Sequence, residues 1–223
     1  MVFASAHLGP WERVAASLVA AGYPLVALAR ESYDPRFSEL YRRLRHGQGV
    51  RVIWRAAPGA AASILRTLRR GGMLGVPMDL RSRVPSCDVP FLGHAAPTPI
   101  GPARIALRSG APVVVGTAAP GPGGRIVVTA TRIASADLSP HALEPAPPAE
   151  RAWRGGSAPA AEAAALELTA RINAELSRRI LAMPDAWVWM HPRWRDAVGR
   201  MMGSEAPVAR SARTHAEAGS RSG

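Results

Sequence analysis

Over the first eighty residues, short apolar runs alternate with amphipathic stretches. Residues 2–6 form an apolar run broken only by Ser5 and read as a buried strand, whereas 10–21 carry a helical pattern. Pro10 suits the first helical position, where a missing N–H costs nothing, and Gly22 suits the C-terminal cap. A strand over 24–29 follows, then a helix over 35–46 with Phe37, Leu40, Tyr41 and Leu44 at helical spacing and Gly47 at its end. The next strand covers 50–54. A helix over 58–70 carries Ile64, Leu65 and Leu68 and closes at Gly71, and a strand over 73–78 ends at Asp79. This rhythm predicts an α/β fold with a largely parallel central sheet flanked by helices.

The pattern changes after Asp79. Residues 84–91 read as a loop or short strand, and 100–109 as a helix. Strands over 112–118 and 125–133 are separated by G-P-G-G at 121–124, a turn signal that predicts an antiparallel hairpin. Residues 135–160 are rich in Pro, Ala and Ser without periodicity, which predicts a long flexible loop. A helix over 160–183 sets Leu168, Ile172, Leu176 and Ile180 in one stripe, with Glu167–Arg171 and Glu175–Arg179 pairs on its surface. Residues 203–223 are of low complexity and read as a disordered tail, which leaves one domain over 1–196.

Charge adds a partner class. The net charge is +12, and every basic residue is Arg, with no Lys. Compositional bias toward Arg, Ala, Gly and Pro accounts for part of this. The remainder favours acidic partners such as phosphate headgroups or an acidic carrier protein. The arginines are dispersed and no nucleic-acid-binding motif accompanies them, so nucleic acid is not an expected partner. Cys87 is alone, which fits a reducing compartment. Residues 14–29 are uncharged but interrupted by Gly22 and Pro24, and fall short of the roughly 20 apolar residues of a spanning helix. The six histidines show no ligand spacing, so no metal or other cofactor is expected.

In a parallel α/β sheet, ligands bind beyond the carboxyl ends of the strands. His7 follows the first strand, Arg30 the second and Asp79 the fourth, which makes them candidates for one site. An imidazole accepts a proton near neutrality and serves as a general base when a carboxylate fixes its tautomer. Glu12 and Asp79 are both candidates for that carboxylate.

The block H-L-G-P-W-E at 7–12 resembles the H-x-x-x-x-[DE] motif of the lysophospholipid acyltransferase superfamily. It is closest to H-x-G-N-W-E of the bacterial lipid A lauroyl/myristoyl acyltransferase family. Four further blocks occur in family order. They are A-L-A-R-E-S-Y-D-P at 27–35, G-V-P-M-D-L at 75–80, V-P-F-L-G-H-A-A-P-T-P-I-G-P-A-R-I-A at 89–106 and W-V-W-M-H-P-R-W-R at 187–195. The resemblance implies a glycerolipid-acyltransferase-like fold and transfer of a fatty acyl chain from acyl-acyl carrier protein, or acyl-CoA, to a hydroxyl. The acceptor is then a lipid A precursor or related glycolipid, such as a phosphatidylinositol mannoside, at the cytoplasmic face of the inner membrane.

Carried over by position, His7, Glu12 and Asp79 are catalytic, and Arg30, Thr98 and Gly101 bind substrate. His191 and Arg193 match the family terminus and read as structural. Trp187, Trp189 and Trp194 suit either a membrane interface or packing on the sheet. Arg42, Arg43 and Arg45 read as a solvated helix face or as contacts to a carrier or headgroup. Pro10 stands where the family has Asn, Asp34 stands at another Asn position, and L-R-S-R-V-P-S after Asp79 departs from the family pattern. Family members also carry a hydrophobic helix before this motif. A sequence starting at the first strand therefore reads as a truncated frame or a reduced homologue, with a catalytically impaired, lipid-binding remnant as the alternative. In either case the expected seat is peripheral, on an anionic membrane surface.

Overall fold

The computed structural model describes residues 1–138 and 159–194. Apolar runs and amphipathic stretches form, in order, β1 (Val2–Ser5), α1 (Trp11–Ala20), β2 (Leu25–Ala29), α2 (Pro35–Gly47), β3 (Arg51–Trp54), α3 (Ala60–Arg69) and β4 (Met73–Pro77). There follow β5 (Ser86–Phe91), β6 (His94–Pro99), α4 (Gly101–Ser109), β7 (Val113–Pro120), β8 (Ile126–Ile133) and α5 (Pro159–Ala182). Six strands make one sheet in the order β3-β2-β4-β1-β7-β8. All are parallel to their neighbours except β8, which runs antiparallel to β7. The expected α/β architecture with its late hairpin is therefore present. The G-P-G-G turn holds a short 3-10 segment at Pro122–Gly124.

The segment expected as a loop or single short strand is instead β5, which pairs with β6 as a separate two-stranded antiparallel sheet. Residues 139–158 of the expected long loop, and the expected tail at 203–223, lie outside the described residues.

Alternation along β1 serves both faces of the sheet. Val2 and Ala4 enter a cluster with Ile64 and Leu68 of α3 and with Leu168, Ile172, Leu176 and Ile180 of α5. Phe3 points the other way, into a cluster with Val14 of α1, Leu25, Val50 and Met73. Gly116 in β7 leaves room for that ring, since a Cβ there would lie 2.2 Å from the Phe3 ring edge. α5 is thus the spine of one face. Its Arg179 is buried rather than on the surface, donating to Thr117, Thr129 and Thr131 hydroxyls of β7 and β8 while Glu175 accepts from its Nε at 2.7 Å. A buried guanidinium is tolerated only when its donors are matched in this way.

α2 differs from the other helices in having no buried residue. Asp34 caps it by accepting the Arg36 N–H at 2.9 Å, with Pro35 at its first turn. Its apolar stripe of Phe37, Leu40, Tyr41 and Leu44 is exposed to solvent.

Candidate active site

Sheet register brings the first two candidates together. β1 and β4 are neighbours with Ser5 opposite Pro77, so His7 and Asp79, each two residues further on, emerge side by side. His7 Nδ1 lies 2.9 Å from Asp79 Oδ1, and the His7 backbone N–H donates to Asp79 Oδ2 at 2.8 Å. The Trp187 indole N–H donates to the same Oδ2 at 2.8 Å. Asp79 is fully buried, while about a quarter of the His7 side chain is exposed to a large cavity. With Nδ1 donating to the carboxylate, Nε2 is left as the proton acceptor.

The turn carrying His7 is held from two sides. Leu8 bridges Trp187 in antiparallel fashion, Val188 N–H donates to the His7 carbonyl at 3.2 Å, and Gly9 N–H donates to the Ala186 carbonyl at 2.9 Å. Gly9 has φ +57°, and a Cβ there would meet the Ala118 carbonyl oxygen at 2.6 Å, so the turn requires glycine. Pro10 sits one position earlier than expected, at the N-cap of α1, and offers no side-chain cap.

Glu12 is not bonded to His7. Its carboxylate accepts from Arg45 of α2, with Nη2 at 2.6 Å and Nε at 3.2 Å, and this pair lines the cavity wall. Of the two carboxylates that the sequence left open, the one on the imidazole is Asp79. The Trp11 ring stands 5.5 Å from the His7 ring.

Arg30 and Gly101 also line the cavity, Gly101 at the N-terminus of α4. Thr98 is not among its lining residues. It is fully buried, donates to the Ala96 carbonyl, and accepts from Asn173 Nδ2 at 2.8 Å and Arg193 Nη2 at 2.7 Å. Arg193 also donates to the Pro97 carbonyl and lies over the Phe91 ring, 4.8 Å from its centroid. Burial pushes its pKa down to about 10. Thr98 and Arg193 therefore hold the β5–β6 hairpin onto α5 and the terminal segment.

Sequence reasoning treated Trp187 as an interface or packing residue; its indole in fact holds the carboxylate beside the imidazole. His191 from the same block reaches the cavity too. Burial lowers its pKa while Asp79 pulls the other way, and its Nδ1 is buried without a partner among the described residues.

The cavity, about 1260 Å³, exceeds the range of roughly 300–1,000 Å³ usual for compact small-molecule sites. Phe3, Val14, Leu25, Leu28, Val76 and Ile105 give it apolar walls. Among the described residues, no group of three or more His, Cys, Asp or Glu is placed to hold a metal ion, and no helix is long and apolar enough to cross a membrane.

The family model for bacterial lipid A biosynthesis acyltransferases matches residues 1–196, nearly the whole chain. The chain belongs to this family. None of the curated proteins compared with it individually gives a significant match. As a member of the lipid A biosynthesis acyltransferase family, the chain is an acyltransferase, with an acyl donor and a lipid acceptor as its substrates. The blocks around His7, Arg30, Asp79 and Trp187 all fall within the matched span; His7 and Trp187 meet at the Asp79 carboxylate, and Arg30 lines the same cavity as His7.

Proposed function

We propose that this acyltransferase moves a fatty acyl chain from acyl-acyl carrier protein, or acyl-CoA, to a hydroxyl of a lipid A precursor or related glycolipid. The observation that carries the reading is the Asp79–His7 pair opening onto a large, apolar-walled cavity. His7 Nε2 removes the hydroxyl proton as the oxygen attacks the thioester carbonyl. The C–O bond forms, the C–S bond breaks, and the imidazolium returns the proton to the departing thiolate. Asp79 keeps Nδ1 protonated and stabilises the imidazolium, and Trp187 and the His7 backbone N–H hold Asp79 in turn. Arg30 provides a fixed positive fork for a substrate phosphate or the developing oxyanion. Gly101 brings backbone at the N-terminus of α4 to the cavity wall. Glu12, tied to Arg45, shapes the wall nearest α2.

The apolar walls suit an acyl chain. The exposed stripe of α2 supports a peripheral seat on an anionic membrane, here the cytoplasmic face of the inner membrane. Arg36 and Arg43 flank that stripe and Arg42 lies behind it, the composition of a helix that lies in a lipid interface.

The test is acyl transfer to a glycolipid in vesicles with acyl-acyl carrier protein as donor. His7→Ala abolishes transfer and leaves the melting temperature within a few degrees of wild type. Transfer undiminished in that variant, or absent from the wild-type chain with every glycolipid acceptor tried, overturns the proposal.

A further inference from the structure

The segment that follows α5 carries a second imidazole into the cavity. Backbone links tie this segment to the turn that holds the base: Leu8 bridges Trp187, Gly9 N–H donates to the Ala186 carbonyl, and Val188 N–H donates to the His7 carbonyl. His191 comes three residues after Val188, so even a fully extended chain keeps the two Cα atoms within about 11 Å. Arg193 N–H donates to the His191 carbonyl at 2.8 Å, which turns the chain at this point. His191 and Pro192 then line the same cavity as His7.

The two ring nitrogens of His191 meet different surroundings. Nδ1 is buried and has no hydrogen-bond partner among the described residues. The ring is only half-buried and lines the cavity, so its open nitrogen is Nε2. A proton on Nδ1 would be a donor with nothing to receive it, whereas a proton on Nε2 faces the cavity. A second proton is disfavoured. Burial lowers the pKa of the ring, and His7, Arg193 and Arg81 act in the same direction against the pull of Asp79. His191 is therefore a neutral imidazole that presents one N–H, a hydrogen-bond donor rather than a base.

Acyl transfer needs such a donor. As a hydroxyl oxygen attacks a thioester, the C=O π pair moves onto the carbonyl oxygen, and that charge is stabilised by an N–H already in place. The Trp187 indole cannot supply it, because its N–H is committed to Asp79. Arg30 leaves the sheet two strands from His7, about 10 Å away at the usual strand spacing, and its guanidinium lies over the Tyr33 ring. His191 sits on the segment bonded directly to the His7 turn.

We propose that His191 is a catalytic residue, a neutral imidazole whose Nε2–H binds the carbonyl oxygen of the acyl donor and stabilises the oxyanion formed as the hydroxyl attacks. The assignment rests on the acyl-transfer reading above. No proton leaves His191. The C=O bond re-forms as the C–S bond breaks, and the His7 imidazolium gives its proton to the thiolate. An uncharged donor suits this place, since a second cation would oppose the imidazolium that His7 becomes.

Nitrogen NMR of the wild-type chain tests the donor without turnover. At pH 7 the His191 ring carries one proton, on Nε2. An acyl carrier protein bearing a ketone analogue, with CH2 in place of the thioester sulfur, shifts that N–H. The matching alkyl thioether, which has no carbonyl, leaves it in place. A proton on Nδ1, an imidazolium, or the same response to both analogues overturns the proposal.

Turnover gives the second readout. His191→Leu lowers kcat about 10²–10³-fold, the scale of losing one oxyanion donor, with both KM values and the melting temperature nearly unchanged. His191→Gln, whose side-chain amide returns an N–H, recovers about ten-fold or more of that loss. Equal kcat in the two variants, or His191→Leu within about ten-fold of wild type, overturns the assignment and leaves the acyl-transfer reading standing. Absence of transfer by the wild-type chain overturns that reading instead, and the NMR outcomes then decide the donor on their own.

Discussion

Asp79→Asn is the sharpest perturbation of the site because it changes protonation while nearly preserving shape. The carboxylate accepts three N–H groups: the His7 backbone N–H and the Trp187 indole at Oδ2, and His7 Nδ1 at Oδ1. An asparagine oxygen keeps the two donors at the Oδ2 position. Its NH2 group then occupies the Oδ1 position and points a donor at Nδ1. The imidazole answers by carrying its proton on Nε2, the nitrogen that must be free to accept one. A positioned general base contributes about 10²–10⁴-fold, or about 3–5 kcal/mol of barrier. The equivalent swap in Ser-His-Asp triads lowers turnover about 10⁴-fold.

The expected result is therefore a 10²–10⁴-fold fall in kcat with a small change in acceptor KM. Thermal unfolding should shift by a few degrees at most, since two of three hydrogen bonds survive. Nitrogen NMR of the His7 ring reads the tautomer directly. Activity within ten-fold of wild type refutes the role given to Asp79, and so does a large loss with Nδ1 still protonated. Asp79→Ala is a different experiment. It orphans three N–H groups in a buried place, at about 1–3 kcal/mol for each buried one, and should destabilise the whole protein.

Three further outcomes separate the parts of this account. Glu12→Gln weakens the contact to Arg45 without touching the imidazole, so kcat falls by less than in Asp79→Asn; an equal or larger loss would return the orienting role to Glu12. Leu40→Ser with Leu44→Ser lowers retention on anionic vesicles several-fold while transfer to a detergent-dispersed acceptor persists, because neither residue lines the cavity; unchanged retention removes α2 from the membrane seat. The Glu175 carboxyl is held down at about 2 by the hydrogen bond from Arg178, then by Arg179 and Thr131. A depressed folded value contributes stability above the ordinary value near 4.5 that is lost as pH falls toward 2. The melting-temperature gap between wild type and Glu175→Gln should therefore narrow on acidification from pH 6 to pH 3, and a constant gap contradicts the assignment.

The parallel sheet was legible because its strands are short apolar runs punctuated by Gly and Pro. With strand order unknown, the carboxyl-end rule still named His7, Arg30 and Asp79. The β5–β6 hairpin was not legible. Pro85, Pro90, Pro97 and Pro99 break the alternation that marks a strand pair, and its two-residue turn, Leu92-Gly93, places a leucine at φ 49° where Asn or Asp is usual. The structure supports that turn from outside, through the Ser177 hydroxyl that accepts the Leu92 N–H at 3.0 Å. Thr98 follows the same logic. Its motif position marks it for the family, but only three-dimensional contacts show it buried between Asn173 and Arg193.

The choice between Glu12 and Asp79 shows where one-dimensional reasoning stops. Five residues of separation put Glu12 near His7 along the chain, but the helix that starts at Trp11 turns its carboxylate toward Arg45 of α2. Asp79 is seventy-two residues away and reaches the ring because β1 and β4 are hydrogen-bonded neighbours in register. The same register places Arg55 beside Arg30, although no motif links them. Strand adjacency therefore makes two pairings along the carboxyl edge of the sheet, His7 with Asp79 at β1 and β4 and Arg30 with Arg55 at β2 and β3. Both pairings join residues far apart in sequence, and only the strand order β3-β2-β4-β1 brings them to one edge.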